Sequence, residues 1–336
     1  MLNSKIRIAF DIMGGDFAPH NELKAAASMK SRFADSIDLI LVGKESIIKE
    51  NLQKSGLSTS DFEILNADDV ITMQDDPTEA LKTKKESSIY KGLEYHKSGR
   101  SDAFVSAGNT GAMLSLSTIL LGRIKGVSRP TIGSFFPSKH GKPVLIVDVG
   151  ATLEPKPRYL YEFAVMGSIY YSQITGTEKP VIGLLNIGEE EIKGTEIVKE
   201  TYKLLKSSNL NFVGNIEGRD IFDAKADVVI CDGFVGNIVL KFAESFLGML
   251  KSTFKNYADR STFNKLKVGM MLPLLKDVLK DLNYENYGGV PLLGVNGVSI
   301  IGHGSSSPTA LENMVLTARD MVKAGLNTKI ETALTN

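Results

Sequence analysis

The feature that most constrains this chain is a repeated unit: a short apolar run, a loop of small and acidic residues, then a stretch with helical spacing. IRIAF at 6–10 runs into Asp11 and a turn carrying Gly14, Gly15 and Asp16, and helical spacing begins near Asn21. The unit returns in DLILVG (38–43), EIL (63–65), DAFVSAGNTGAM (102–113), PVLIVDVGA (143–151), PVIGLLNIG (180–188), FVGN (212–215) and ADVVICDGFVGN (226–237), with IGSFF (132–136) as a further strand. Strands that alternate with helices of about 10 to 20 residues pair in parallel through right-handed crossovers. The expected fold is therefore α/β, a doubly wound and mostly parallel sheet with helices on both faces. Such sheets bind ligands outside the carboxyl ends of their strands, so the loops DIMGGD, SAGNTG, DVGA and CDGFVGN are expected to share one edge and one crevice.

Of these loops, SAGNTG has the composition of an anion cradle. Glycine lets backbone N–H groups come close to a ligand, and the positive end of the following helix adds its field. Further along, Thr78 after Pro77 reads as the N-cap of a helix that carries Lys82, Lys84 and Lys85 close to Ser87 and Ser88. Pro157 marks another helix start, and EEEIKGTEIVKETYKLLKSS reads as helix after PVIGLLNIG. The segment 238–284 changes character. Phe246, Leu247, Leu250, Phe254 and Tyr257 fall on one helical face, and Pro273 opens a second apolar helix that runs to Leu282. Its Met-rich surface suits core packing or a homodimer seam, with a lipid-facing or acyl-chain-binding surface as the alternative. The chain is expected to form one α/β unit over 1–336, with two lobes sharing the sheet as a variant.

Composition removes several function classes. Lys plus Arg equals Asp plus Glu at 39 each, so nothing recommends nucleic acid as a partner. A single cysteine, Cys231, leaves no internal disulfide and no multi-cysteine metal site, which fits a reducing cytoplasm. No signal peptide is evident and no apolar run approaches the ~20 residues of a bilayer span, so an integral membrane protein is not expected. Cys231 ends an apolar strand, where cysteine is a small buried hydrophobe rather than a nucleophile.

The order of the motifs is specific. DIMGGD, KKESS, DAFVSAGNTGAM, the RP at 129 and 130, DVGA with a downstream KP, NIGEE with KG, CDGFVGN and HGSSS resemble the bacterial phosphate acyltransferase (PlsX) family from about Ile6 to the final helix. The chain departs from the family's pattern in the TLEPKP that follows DVGA. The resemblance implies a fold related to phosphate acetyltransferases and the isocitrate dehydrogenase group, a homodimer, and no cofactor or metal. It implies transfer of a fatty acyl group from acyl-[acyl carrier protein] to inorganic phosphate, the acyl phosphate then serving a glycerol-3-phosphate acyltransferase. It also implies a cytoplasmic enzyme, with peripheral contact at the inner face of the membrane as an option.

Attack of phosphate on a thioester needs an anion cradle, oxyanion donors and alignment rather than an activated nucleophile. On that requirement Asn109, Asp232, Lys193 and His303 are the catalytic candidates. Ser106, Gly108, Thr110 and Gly111 are expected to hold phosphate or the oxyanion, with Lys84 or Lys85 offsetting its charge. Asp11, Asp16, Asp148 and Asp232 cannot all be anionic beside phosphate, so at least one orients a lysine or accepts a proton. Gly14, Gly15, Asn186, Gly233, Asn237, Gly304 and Ser305 complete the substrate-binding set. Two other classes stay open: a nicotinamide-dependent dehydrogenase, although no GxGxxG follows a strand, and a lipid-associated scaffold.

Overall fold

The computed structural model describes residues 5–279 and 289–335. Eleven strands form one sheet in the order β3-β2-β1-β4-β11-β10-β5-β6-β9-β7-β8. The first half holds β1 (Ile6–Asp11), β2 (Ile37–Gly43), β3 (Glu63–Asn66), β4 (Ala103–Ser106) and β11 (Val298–Ile301), all parallel. The second holds β6 (Val144–Val147), β7 (Ile182–Leu185), β8 (Phe212–Ile216) and β9 (Val228–Ile230), also parallel to one another. Between them lie β5 (Thr131–Phe136) and β10 (Val290–Leu293), each antiparallel to both of its neighbours.

That central pair corrects the expectation of a single ligand edge. Passing through β10 and β5 reverses the sense three times, so the second half runs opposite to the first. Thr131 and Ile132 pair with Leu293 and Leu292 of β10, whereas Gly133 to Phe136 pair with Val147 to Val144 of β6. The halves are thus offset along the strands. Val147, which ends β6, comes level with the end of β11 rather than with its beginning. Two carboxyl edges face each other across β5 and β10, and the four small-residue loops come from opposing edges.

Both faces of the sheet are buried, which is why its strands read as continuous apolar runs. Successive residues alternate between two cores. Ile8, Phe10, Val105, Leu145 and Val147 pack on one face; Ala9, Phe104, Val144 and Ile146 pack on the other. Helices α1 (His20–Phe33), α2 (Glu45–Lys54), α6 (Pro157–Thr175), α7 (Glu196–Lys206), α11 (Pro308–Lys323) and α12 (Leu326–Thr335) contribute to the first core. The second takes α3 (Pro77–Thr83), α4 (Ser88–Lys97), α5 (Thr110–Leu120), α8 (Gly218–Phe222) and part of α9 (Gly233–Ala258).

Three helix boundaries differ from the sequence reading. The lysine-bearing segment is two helices, because Asp76 caps α3 ahead of Pro77, Lys84 ends it, and Ser87 caps α4. Thr195 caps α7, so Lys193 sits in the preceding turn. Pro273 lies inside α10 (Thr262–Leu279) rather than at a first turn, and Leu282 with the rest of 280–284 falls outside the described residues.

Helix α9 is set by close backbone approach. A Cβ on Gly236 would lie 1.8 Å from the carbonyl oxygen of Asp148, and one on Gly233 would lie 2.7 Å from that of Thr152. Gly236→Ala is expected to lift α9 from the end of β6 and cost about 1–3 kcal/mol of stability as overpacking, read from urea unfolding.

Candidate active site

Where the two edges meet, a cavity of about 600 Å³ opens. The first half contributes Asp16, then Gly108, Thr110 and Gly111 from the β4–α5 loop, and His303 and Gly304 from the β11–α11 turn. Gly150, Asn237 and Lys241 line it from the second half. Leu114, Ile132, Phe135, Val149, Ile301 and Met314 form an apolar wall.

Accounting for backbone amides separates the four loops. In the β1–α1 loop Met13 N–H donates to Asp11 Oδ1 at 2.9 Å, and Asp16 N–H donates to the Gly304 carbonyl at 2.7 Å. After β6, Gly150 and Ala151 donate to Asp148 Oδ1 at 2.9 and 2.8 Å, and Thr152 donates to its Oδ2 at 2.8 Å. Asp232 caps α9 by accepting from Val235 N–H at 2.8 Å. Each of these loops already spends amides on its own carboxyl group. In the β4–α5 loop the cap is the neutral Asn109, whose Oδ1 accepts from Ala112 N–H at 3.0 Å. Gly108 N–H goes to Ser106 Oγ at 3.0 Å. Among the described residues the N–H groups of Thr110 and Gly111 have no acceptor, and both residues line the cavity. They are two of the donors that a helix start leaves for an external anion.

The structure brings Asp16, Gly108, Thr110, Gly111, Asn237, His303 and Gly304 to the cavity. Several other candidates serve as supports. Ser106 Oγ donates to Asp11 Oδ2 at 2.7 Å, and burial pushes the Asp11 carboxyl upward. Burial likewise pushes Asp148 up to about 6, against the backbone contacts of Ala151, Gly150, Thr152 and Ile132 that favour its charged form. Gly14 packs on Asp11 and Gly108, and Gly15 on Glu22. Asn109 Nδ2 donates to the carbonyls of Thr72 and Asp75 at 3.0 and 3.2 Å, so its amide is committed. Lys84 Nζ closes the same loop on Val70 O and Asp75 Oδ2 at 2.8 and 2.7 Å, and holds the Asp75 carboxyl below its ordinary range. Lys85 is exposed.

Asn186 and Lys193 are not part of the cavity lining. Asn186 Nδ2 donates to the Lys193 carbonyl at 3.1 Å, closing the turn after β7. Ser305 N–H donates to His303 Nδ1 at 3.2 Å, which leaves the neutral imidazole its proton on Nε2. Cys231 is buried, its thiol donates to Asp148 O at 3.3 Å, and burial first, then Asp148 and Asp232, pushes it well above its ordinary range.

Two features escaped the sequence reading. Lys241 and Glu244 line the cavity with Asn237, at i, i+4 and i+7 on one face of α9. That polar stripe was legible at helical spacing. Glu22, in the first turn of α1, is only 1% exposed and had no sequence signal beyond an ordinary acidic helix start.

The same architecture occurs in EutD phosphotransacetylase from Staphylococcus aureus, with a TM-score of 0.61 at 17% identity over 96% of this chain and 95% of that one. A branched-chain phosphotransacylase from Enterococcus faecalis V583 matches with a TM-score of 0.59 at 14% identity, over 94% and 99%. At these identities the likeness is one of fold, and the class it defines is the phosphotransacylase-type α/β fold. Sequence narrows it. A model of the family described as fatty acid synthesis protein matches residues 6–329. Proteins named phosphate acyltransferase from Halothermothrix orenii and Heliobacterium modesticaldum are 43% and 45% identical, over 94% and 95% of this chain and 95% and 94% of theirs. The chain belongs to this phosphate acyltransferase (PlsX) family, as its motif order indicated, and membership makes it an acyltransferase.

Asn109→Ala removes the cap of α5 and both anchors of the 72–75 loop. Chemical denaturation is expected to show a loss of about 1–2 kcal/mol from the cap alone.

Proposed function

We propose that the chain transfers a fatty acyl group from the thioester of acyl-[acyl carrier protein] to inorganic phosphate. The acyl phosphate then supplies glycerol-3-phosphate acylation in phospholipid synthesis. The observation that carries this reading is the pair of unspent amides at the start of α5, in the one small-residue loop of the four that is capped by a neutral side chain. Phosphate there meets the positive end of a helix, and the apolar wall opposite suits an acyl chain. The volume lies within the roughly 300–1,000 Å³ usual for small-molecule sites.

The chemistry follows from placement. A phosphate oxygen held on Thr110 and Gly111 attacks the thioester carbonyl, forming the C–O bond and a tetrahedral oxyanion. That oxyanion collapses with cleavage of the C–S bond. The leaving thiol has a pKa of about 8.5, so expulsion as thiolate needs little help from an acid. His303 Nε2–H and the Asn237 amide are the cavity donors suited to the oxyanion, because neither has a partner among the described residues. Lys241 adds positive charge at the cavity.

The chain is read as one catalytic unit whose halves share the sheet, acting as a homodimer in the cytoplasm. Segment 238–284 is its contact with a second copy or with the inner membrane surface. Phe234, Ile238, Phe242 and Phe246 recur every fourth residue on α9 and are each more than half exposed. Helix α9 is 26 residues long and contains an 18-residue window at a mean hydropathy of 1.3, enough by length and composition to cross a bilayer. Because Asn237 and Lys241 on the same helix line the cavity, a surface contact fits better than a span.

Incubation with an acyl-[acyl carrier protein] and phosphate, followed by hydroxylamine trapping, is expected to give acyl hydroxamate. Its absence in a folded protein would sink the reading. The amide argument has a sharper test. Proline is welcome at a first helical position, and the extended Asn109 (φ −56°, ψ 113°) tolerates a following proline. Thr110→Pro therefore deletes one donor while keeping the helix. It should lower kcat/KM for phosphate roughly 10²–10³-fold, by analogy with loss of an oxyanion-hole donor, with little change in Tm.

A further inference from the structure

Three carboxyl groups crowd the Gly14–Asp16 loop: Asp11, Asp16 and Glu22. The mechanism above uses none of them for proton transfer. Among the described residues no group of three His, Cys, Asp or Glu side chains is placed to hold a metal ion, so the cluster is not a cation site. Asp11 is satisfied by Ser106 and Met13. Glu22 is different. It is 1% exposed, and its Oε2 has no hydrogen-bond partner among the described residues. A Cβ on Gly15 would lie 2.2 Å from Oε1, so the loop rests directly on this carboxyl.

A sealed carboxylate with a bare oxygen is costly, and placing a proton on that oxygen removes the charge. We propose that Glu22 is a positioning residue that works as the neutral acid: its protonated carboxyl seats the Gly14–Asp16 loop against the β11–α11 turn, and its ionisation unseats that loop and weakens phosphate binding. The link to the turn is the Asp16 N–H to Gly304 carbonyl bond, and both residues line the cavity. Ionisation puts a new negative charge behind Asp16 and beside Asp11. Water can solvate the buried Oε2 only if the packing around Glu22 opens.

The charged groups around Glu22 do not relieve that charge. Asp11 and Asp16 oppose it from the loop, His20 and Lys24 on α1 are exposed, and Glu312 on α11 is engaged by Arg32 at 2.7 Å. His303 on the β11–α11 turn is exposed to the cavity. Burial first, then repulsion from Asp11 and Asp16, pushes Glu22 up to about 7, so the proton is exchanged near neutral pH.

The test compares Glu22→Gln, a neutral isostere, with the wild-type chain from pH 5.5 to 8.5. Phosphate titrates in the same range, but the ratio of the two kcat/KM values for phosphate cancels it. The ratio should be flat at low pH and rise by up to roughly tenfold per unit above about pH 7, as a one-proton loss requires. The melting temperature gives an arm that needs no turnover. A carboxyl whose folded pKa is raised binds its proton more tightly in the native state, so its stabilisation is present at low pH and lost as pH rises through about 7. Wild-type Tm should therefore fall relative to Glu22→Gln from pH 5.5 to about 7 and level off above it. A flat kinetic ratio overturns the positioning role even if Tm responds, and a pH-independent Tm difference or an unfolded Glu22→Gln protein overturns the neutral-acid assignment. The kinetic arm rests on phosphate being the nucleophile. If the wild type shows no phosphate-dependent turnover, the reading under Proposed function fails and so does the effect on phosphate, while the melting comparison still decides the state of Glu22.

Discussion

Two backbone pairs, Thr131 with Leu293 and Ile132 with Leu292, hold the halves of this molecule in the register that creates a cleft. Strand β5 spends its first two residues on β10 and its last four on β6. Were it paired along its whole length with both neighbours, the two carboxyl edges would lie at opposite ends of the sheet. The offset brings them level, and loops from opposing edges then line one cavity. Gly150 and Asn237 face Gly108, Thr110 and Gly111 only because of this stagger.

Within the cleft, capping chemistry decides which loop can take an anion. Asp11, Asp148 and Asp232 each accept amide N–H groups from their own loop, so those loops carry a built-in carboxyl partner. Asn109 gives the same geometric cap without charge and keeps its remaining donors for the 72–75 loop. One element thus stabilises the helix, holds a wall of the cavity and leaves the dipole of α5 uncompensated. Lys84 acts on that same 72–75 loop from the other side. Residues that looked like ligands in the sequence turn out to shape the surfaces on which a ligand rests.

Helix α9 shows the same division of labour along its length. Its polar stripe, Asn237, Lys241 and Glu244, faces the cavity, while an apolar stripe faces outward. This inverts the usual arrangement of a surface helix. It leaves an apolar face for a partner surface beside a polar face that belongs to the site.

The sequence by itself determined the α/β class, nearly every strand, the apolar character of both sheet faces and the family, because these follow from local periodicity and from motif order. It also singled out the SAGNTG loop. It did not determine strand direction across the centre, since a four-residue run such as Val290–Leu293 reads the same in either sense and only pairing with β5 and β11 sets it. Nor did it determine which polar side chains were free. Asn109 and Ser106 find partners tens of residues away in the chain, Lys84 is spent on the loop before its own helix, Lys193 is carried off to the turn after β7, and Glu22 is sealed with a glycine loop packed against it. Local pattern reports what a residue can do; long-range packing assigns its hydrogen bonds and its access to water, and only the tertiary structure contains those.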